Sequence, residues 1–129
     1  TLLNALTARG DVLIGVITGN IEACARIKLR EAGVHRHFLL GAFGHEHADR
    51  RQIARLARQR ARDLLPAGRA EPPAYLIGDT PSDIQAAHDI GARAMAVATG
   101  RYGRDELAEH RPDLLLDTLE EAGWLAELL

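Results

Sequence analysis

Cysteine and lysine are almost missing from this chain: Cys24 and Lys28 are the only ones among 129 residues. One cysteine excludes an internal disulfide and a thiolate zinc cluster, and it suits a reducing compartment, so a cytoplasmic protein is expected. Also lacking is any apolar run near the ~20 residues that cross a bilayer, and any leader of basic and then apolar residues. Neither sign of charge dominates: 16 Lys+Arg against 18 Asp+Glu leave a net charge of −2. No general attraction to nucleic acid or to an anionic membrane is therefore expected. There is no internal repeat and no low-complexity segment. An initiator methionine is absent too, and Thr1 already stands in what reads as a helix, so we expect the later part of a longer protein.

What is present is an ordinary globular composition, 47% hydrophobic and 26% charged, in one domain spanning residues 1–129. Leu2, Leu3 and Leu6, followed by Gly10, outline a short helix with a glycine stop. The apolar run Val12 to Ile17 reads as a strand covered on both faces. Ile21, Cys24, Ala25, Leu29 and Ala32 recur at helical spacing up to Gly33, which places Cys24 on an apolar face as a small core residue. Phe38 to Phe43 reads as the next strand, and Ile53 to Leu65 as a long helix with arginines outside. A loop at 66–73 leads to a strand at 74–78, a helix at about 81–90, a strand at about 93–98 and a helix from about 104. A short strand, Leu114–Leu116, and a helix over 118–128 complete the series. Strand and helix alternate throughout, which predicts a mostly parallel sheet with helices on both faces.

In such sheets ligands bind beyond the carboxyl ends of the strands. The most telling of these ends is Gly78-Asp79-Thr80-Pro81-Ser82-Asp83, after the apolar run Ala74 to Ile77. Thr80 suits a helix N-cap, Pro81 the first helical position, and Asp83 the acid of a capping box. That leaves Asp79, which ends an apolar strand and would be partly desolvated with no obvious partner. Binding of a hard divalent cation such as Mg²⁺ accounts for both acids.

Two further strand ends carry suitable chemistry. Thr18-Gly19-Asn20 offers a hydroxyl, an unobstructed glycine N–H and a helix start, which make either a small anion site or simply a cap. His45-Glu46-His47-Ala48-Asp49-Arg50-Arg51 follows the strand at 38–43, and Asp49 suits an N-cap. Arg50 and Arg51 then oppose the helix dipole in the first turn, which hints at an anionic ligand or reflects only an arginine-rich helix. Three neighbouring loop residues do not readily close a tetrahedral zinc site, so His45 and His47 read as structural or surface residues. Thr99-Gly100-Arg101-Tyr102 stands after another strand and could line the same mouth, although an ordinary turn explains it as well.

Val16 to Asn20, then Asp49-Arg50, then Ile77 to Asp83, in that order and spacing, resemble the haloacid dehalogenase-like hydrolases. The nearest likeness is to the phosphoglycolate-phosphatase-like branch, including Val97-Ala98-Thr99-Gly100. The resemblance spans nearly the whole chain and implies a three-layer α/β/α Rossmann-like core. It implies that Thr18, with the Gly19 and Asn20 amides, binds the transferring phosphoryl group. Arg50, or failing it Arg51, would neutralise charge on nucleophile and phosphate, while Asp79 and Asp83 would hold Mg²⁺. The substrate would be a small phosphorylated metabolite.

One departure is large. The family's first motif, Asp-x-Asp-x-Thr/Val on an N-terminal strand, supplies the nucleophile and the acid/base, and it is not found in these residues. Asp11 heads a strand instead of ending one, and Asp113 and Asp117 lack the partner spacing. The cap domain that selects the substrate is also not found. In the family the first-motif strand lies centrally, between the strands that end at Thr18 and Gly78. We therefore expect those two strands not to pair with each other, and the chain on its own to be inactive. An Mg²⁺-dependent phosphatase working through an aspartyl-phosphate is then the leading reading for the intact protein. A catalytically dead binding or regulatory module is the alternative. A flavodoxin-like nucleotide or receiver module is a third, which requires the Asp79 region to lie far from Thr18.

Overall fold

The computed structural model describes residues 2–9, 12–18, 20–46, 49–65 and 73–119. Eleven elements follow in chain order: α1 (Leu2–Arg9), β1 (Gly15–Ile17), α2 (Glu22–Glu31), a 3₁₀ turn (His35–His37), β2 (Leu40–Ala42), α3 (Arg50–Leu64), β3 (Tyr75–Gly78), α4 (Pro81–Asp89), β4 (Arg93–Val97), α5 (Arg104–Ala108) and β5 (Leu114–Leu116). The alternation read from the sequence is present. The loop at 66–73, save its last residue, and the helix at 118–128, save its first two, lie outside the described residues.

All strand pairs are parallel, in two sheets: β1 with β2, and β3-β4-β5 with β4 in the middle. Among the described residues β1 and β3 do not pair. Each has one strand neighbour among the described residues. β1 is shorter than its apolar run: its ladder with β2 covers Gly15 to Ile17, and Ile14 adds one bond, from the Leu39 N–H at 2.9 Å.

Side chains alternate across the β3-β4-β5 sheet and define its two faces. Met95 packs with Leu6 of α1 and with Val12, Ile14, Tyr75, Leu114 and Leu116. Ala94 and Ala96, one residue out of phase, pack instead against Ile84 and Ala87 of α4 and Leu107 near the end of α5. Ile84 and Leu107 are the largest fully buried side chains, each contributing about 2–3 kcal/mol of apolar burial. Against the other sheet, α3 presses Ile53 and Ala57 onto Ala42. α3 also packs along α4, and Arg55 grips both carboxylate oxygens of Asp89 at 2.7 Å.

α2 corrects one expectation. Cys24 is exposed, and the only buried residue of the helix is Ala25. Glu22, Ala25 and Leu29 make the inward stripe, whereas Ile21 and Ile27 face solvent. Helical periodicity allowed two neighbouring stripes, and packing selected the one without the cysteine.

Candidate active site

Each candidate residue stands where an element begins or ends. β1 stops at Ile17 and the chain turns through Thr18, whose Oγ1 accepts the Asn20 N–H at 3.1 Å. The Thr18 N–H still bonds Ala42 O, so the backbone at Thr18 is fixed by β2. Asn20 O in turn accepts the Gly44 N–H at 2.8 Å, which ties this turn to the loop after β2. Gly19 lies outside the described residues.

The loop after β2 is itself held from below. Arg60 of α3 forks onto both oxygens of Glu46 and donates to Gly41 O, while Glu46 accepts the Phe43 N–H at 3.0 Å. The Arg60 bond, ahead of the smaller contribution of the Phe43 amide, holds the Glu46 carboxyl below its ordinary value. His45 has a structural role, as its sequence context indicated: Nδ1 accepts the Glu22 N–H at the start of α2, and the ring stacks on Phe43. His47 lies outside the described residues.

α3 then starts with Asp49 as N-cap, its carboxylate accepting the Arg51 N–H at 2.8 Å. That backbone bond, with the Arg51 side chain second, lowers the Asp49 pKa. The two arginines of the first turn part here. Arg51 folds back on Asp49 at 3.3 Å, whereas Arg50 points across the end of β1. Its Nη1 lies 3.4 Å from Ile17 O and 3.6 Å from Asp83 Oδ1. Arg50 is the cation that faces the strand ends, and one third of its side chain stays accessible.

β3 ends at Gly78 and α4 starts with the capping box read from the sequence. Thr80 Oγ1 accepts the Asp83 N–H, and Asp83 Oδ2 accepts from the Thr80 N–H and hydroxyl at 3.2 and 2.9 Å. Asp83 is 8% exposed, and its charge there is favoured by the α4 dipole. Gly78 is required: a Cβ on it would overlap the Asp83 side chain. Asp79 departs from expectation, since it is exposed rather than desolvated. The strand ends one residue before it, and the turn carries it outward. Its carboxylate has no hydrogen-bond or ion-pair partner among the described residues.

One contributor is stronger in the structure than in the sequence. The turn after β4 brings Gly100 against Asp79, so closely that a Cβ on Gly100 would stand 3.0 Å from Asp79 Cγ and nearer still to Oδ2. A glycine after a strand was the available signal, but only tertiary packing reveals its neighbour.

Arg50 thus links the end of β1, beside Thr18, to Asp83 in the first turn of α4, and Asp79 directly follows the end of β3. The described residues include no cluster of three or more His, Cys, Asp or Glu able to cage a metal. Two carboxylates nevertheless suit Mg²⁺, which keeps several waters and is held by one or two acids together with substrate phosphate. Asp79 lies close against Gly100, and Asp83 keeps Oδ1 outside its capping bonds.

An α/β protein with charged groups gathered at the strand ends defines a class, that of open parallel sheets with a ligand site at this edge. Within it, residues 50–122 match the profile of the HAD-hydrolase-like family. More than half the chain is matched, and the chain belongs to that family. No curated protein matches the chain. Solved structures share the fold. A protein from Thermotoga maritima assigned as a β-phosphoglucomutase superposes with a TM-score of 0.79 at 18% identity, covering 99% of this chain and 57% of its own. A haloacid dehalogenase-like protein from Streptococcus pneumoniae gives 0.77 at 20%, covering 98% and 58%. One from Haemophilus somnus assigned as a phosphoglycolate phosphatase gives 0.75 at 21%, covering 96% and 53%. The chain therefore spans between half and three-fifths of the length of these structures. Among the described residues no helix is long and apolar enough to cross a membrane.

Proposed function

We propose that the intact protein is an Mg²⁺-dependent phosphatase of the haloacid dehalogenase-like type, acting on a small phosphorylated metabolite. The observation that carries this reading is Arg50, which meets the end of β1 beside Thr18 and the start of α4 at Asp83 through one guanidinium. The acidic turn is not remote from Thr18, as a flavodoxin-like or receiver module would require.

In this reading Thr18, with the amides of Gly19 and Asn20, orients the phosphoryl oxygens, and Arg50 offsets their charge in the transition state. Asp79 and Asp83 would hold Mg²⁺, which adds positive charge where phosphoryl oxygens gather. The phosphoryl group passes from the substrate oxygen to an aspartate carboxylate: one P–O bond forms, the ester P–O bond breaks, and the leaving oxygen takes a proton. Water then cleaves the aspartyl-phosphate. No Asp-x-Asp stands at a strand end in these 129 residues, so the chain alone supplies the stabilising groups without the attacking one. The second reading is a catalytically dead member that binds phosphate.

The test has two arms. Mg²⁺ and inorganic phosphate are titrated into the 129-residue chain while amide NMR shifts are followed. Phosphate should move Thr18, Asn20 and Arg50, and Mg²⁺ should move Asp79 and Asp83, with each ligand tightening the other. Responses confined to other residues would overturn the site. Hydrolysis of p-nitrophenyl phosphate, expected to be nil for this chain, separates the readings in the intact protein, where Asp79→Asn should sharply lower an Mg²⁺-dependent rate. Full activity in that variant would remove the metal role.

A further inference from the structure

The β1–β2 sheet has a second face that the chemistry of the strand ends does not use. Ala42, with Ile17 and Leu40, packs on α3. Val16 and Gly41, one residue out of phase, turn the other way. A Cβ on Gly41 would stand 3.0 Å from Val16 Cγ1 and 2.6 Å from Phe43 Cζ, so Val16 and the Phe43 ring share this face. There a hollow of about 150 Å³ opens between β2, α2 and the 3₁₀ turn. None of Thr18, Arg50, Asp79 and Asp83 lines it.

Its lining divides by burial. Phe43 is buried, and Val16, Leu29 and Phe38 are half-buried, whereas Arg26, Arg30 and His35 are exposed. The apolar groups therefore lie inside and the nitrogen donors at the entrance. No carboxylate lines the hollow. A cavity of about 150 Å³ with apolar walls has room for a single benzene ring.

The charge at the entrance is only partly matched by the protein itself. Arg26 and Arg30 stand one turn apart on α2, where like charges repel. Arg26 gives Nε and Nη2 to Glu22 Oε1, at 3.0 and 2.6 Å. The Arg30 guanidinium has no partner among the described residues. An unengaged guanidinium above a ring-sized apolar hollow matches a ligand with an apolar body and a single negative charge. A planar carboxylate meets the guanidinium fork through two hydrogen bonds and carries the one charge that Arg30 offsets.

We infer that this hollow binds the anion of a small carboxylic acid whose body is one ring or a short branched chain. The body lies against Phe43 and Leu29, and the carboxylate meets Arg30. The inference concerns the face of the sheet away from α3 and does not rest on the phosphatase reading.

Phenylacetate tests it, titrated into the 129-residue chain at neutral pH while amide NMR shifts are followed. The amides of Leu29, Arg30, Gly41 and Phe43 should move together and saturate, with a dissociation constant of about 1 mM or lower for a ligand of this size. 2-Phenylethanol has the same body without the charge, and acetate has the charge without the body. Each should bind at least about tenfold more weakly than phenylacetate. Arg30→Gln should lower the affinity for phenylacetate about threefold or more and leave that for 2-phenylethanol unchanged. Saturating inorganic phosphate should not displace phenylacetate. Equal affinity for phenylacetate and either of the other two probes would reduce the hollow to a greasy dent or a charged patch and overturn the inference. So would an Arg30→Gln variant of undiminished affinity, or displacement by phosphate. Shifts confined to Thr18, Asn20 and Arg50, or no saturable shift at all, would overturn it as well.

Discussion

Gly100→Ala should separate the metal role of Asp79 from the stability of the fold. The added methyl would stand 3.0 Å from Asp79 Cγ and closer to its Oδ2, where relaxed carbon contacts lie near 3.5–4.0 Å, so the carboxylate must move by roughly an ångström. Asp79 is exposed and has no partner among the described residues, so it can swing aside. The cost in folding stability should stay below about 1 kcal/mol, as for other surface changes. An Mg²⁺ ligand set is far less tolerant, because the ion demands near-ideal geometry at about 2.0–2.1 Å. We expect Mg²⁺ affinity, measured by titration of the chain in the presence of phosphate, to fall about 10- to 100-fold, as when the support of a metal ligand is lost. Placed on Asp79→Ala, the same glycine change should add nothing further. Two results would refute the reasoning: unchanged affinity in Gly100→Ala, or a loss of more than about 2 kcal/mol in urea unfolding.

Gly78→Ala should behave in the opposite way, because the Cβ it adds meets the Asp83 Cβ as well as the carboxylate. Overpacking plus loss of the α4 cap should cost about 2–4 kcal/mol by urea unfolding, and a change within about 0.5 kcal/mol would show that α4 shifts freely. Ile84→Ala, at a site 1% exposed, should cost about 2–5 kcal/mol and leave the exchange of α1 amides least affected. The pH dependence follows from Glu46 and Asp49, whose native pKa values lie below their ordinary 4.5 and 3.8. Each binds its proton more readily unfolded, so the stability they contribute is full above those values and is lost as pH falls through the lowered native ones. Glu46→Gln should flatten that acid limb in a pH series of urea midpoints, and an unchanged limb would refute the role of the Arg60 fork.

The alternation of elements was legible because apolar runs of strand length and stripes of helix period differ, and because Gly33 and the Thr80 to Asp83 box punctuate them. The capping box was readable down to its atoms, being a local affair of four residues. Failures came where a partner distant in sequence decides. Cys24 and Ala25 sit on adjoining stripes of a largely exposed helix, and nothing in α2 alone tells which stripe is covered. The apolar strand before Asp79 points to desolvation, whereas the turn carries it outward. Gly100 has a meaning only through Asp79, and Arg50 is distinguished from Arg51 only by Ile17 O and Asp83, 33 residues away from it in each direction.

The arrangement of the candidate site depends on α3. No strand bond joins the two sheets among the described residues, so the separation between Thr18 and the acidic turn is not set by a ladder. It is set by one helix that touches everything relevant. Ile53 and Ala57 hold it to Ala42, Arg60 holds the loop after β2, and Arg55 with the α3–α4 packing holds it to the other sheet. An exposed ion pair such as Arg55–Asp89 adds little, so apolar contact along α3 carries most of this task. Arg50, at the first turn of that helix, is then positioned by the same contacts that fix α3 against β2 and α4.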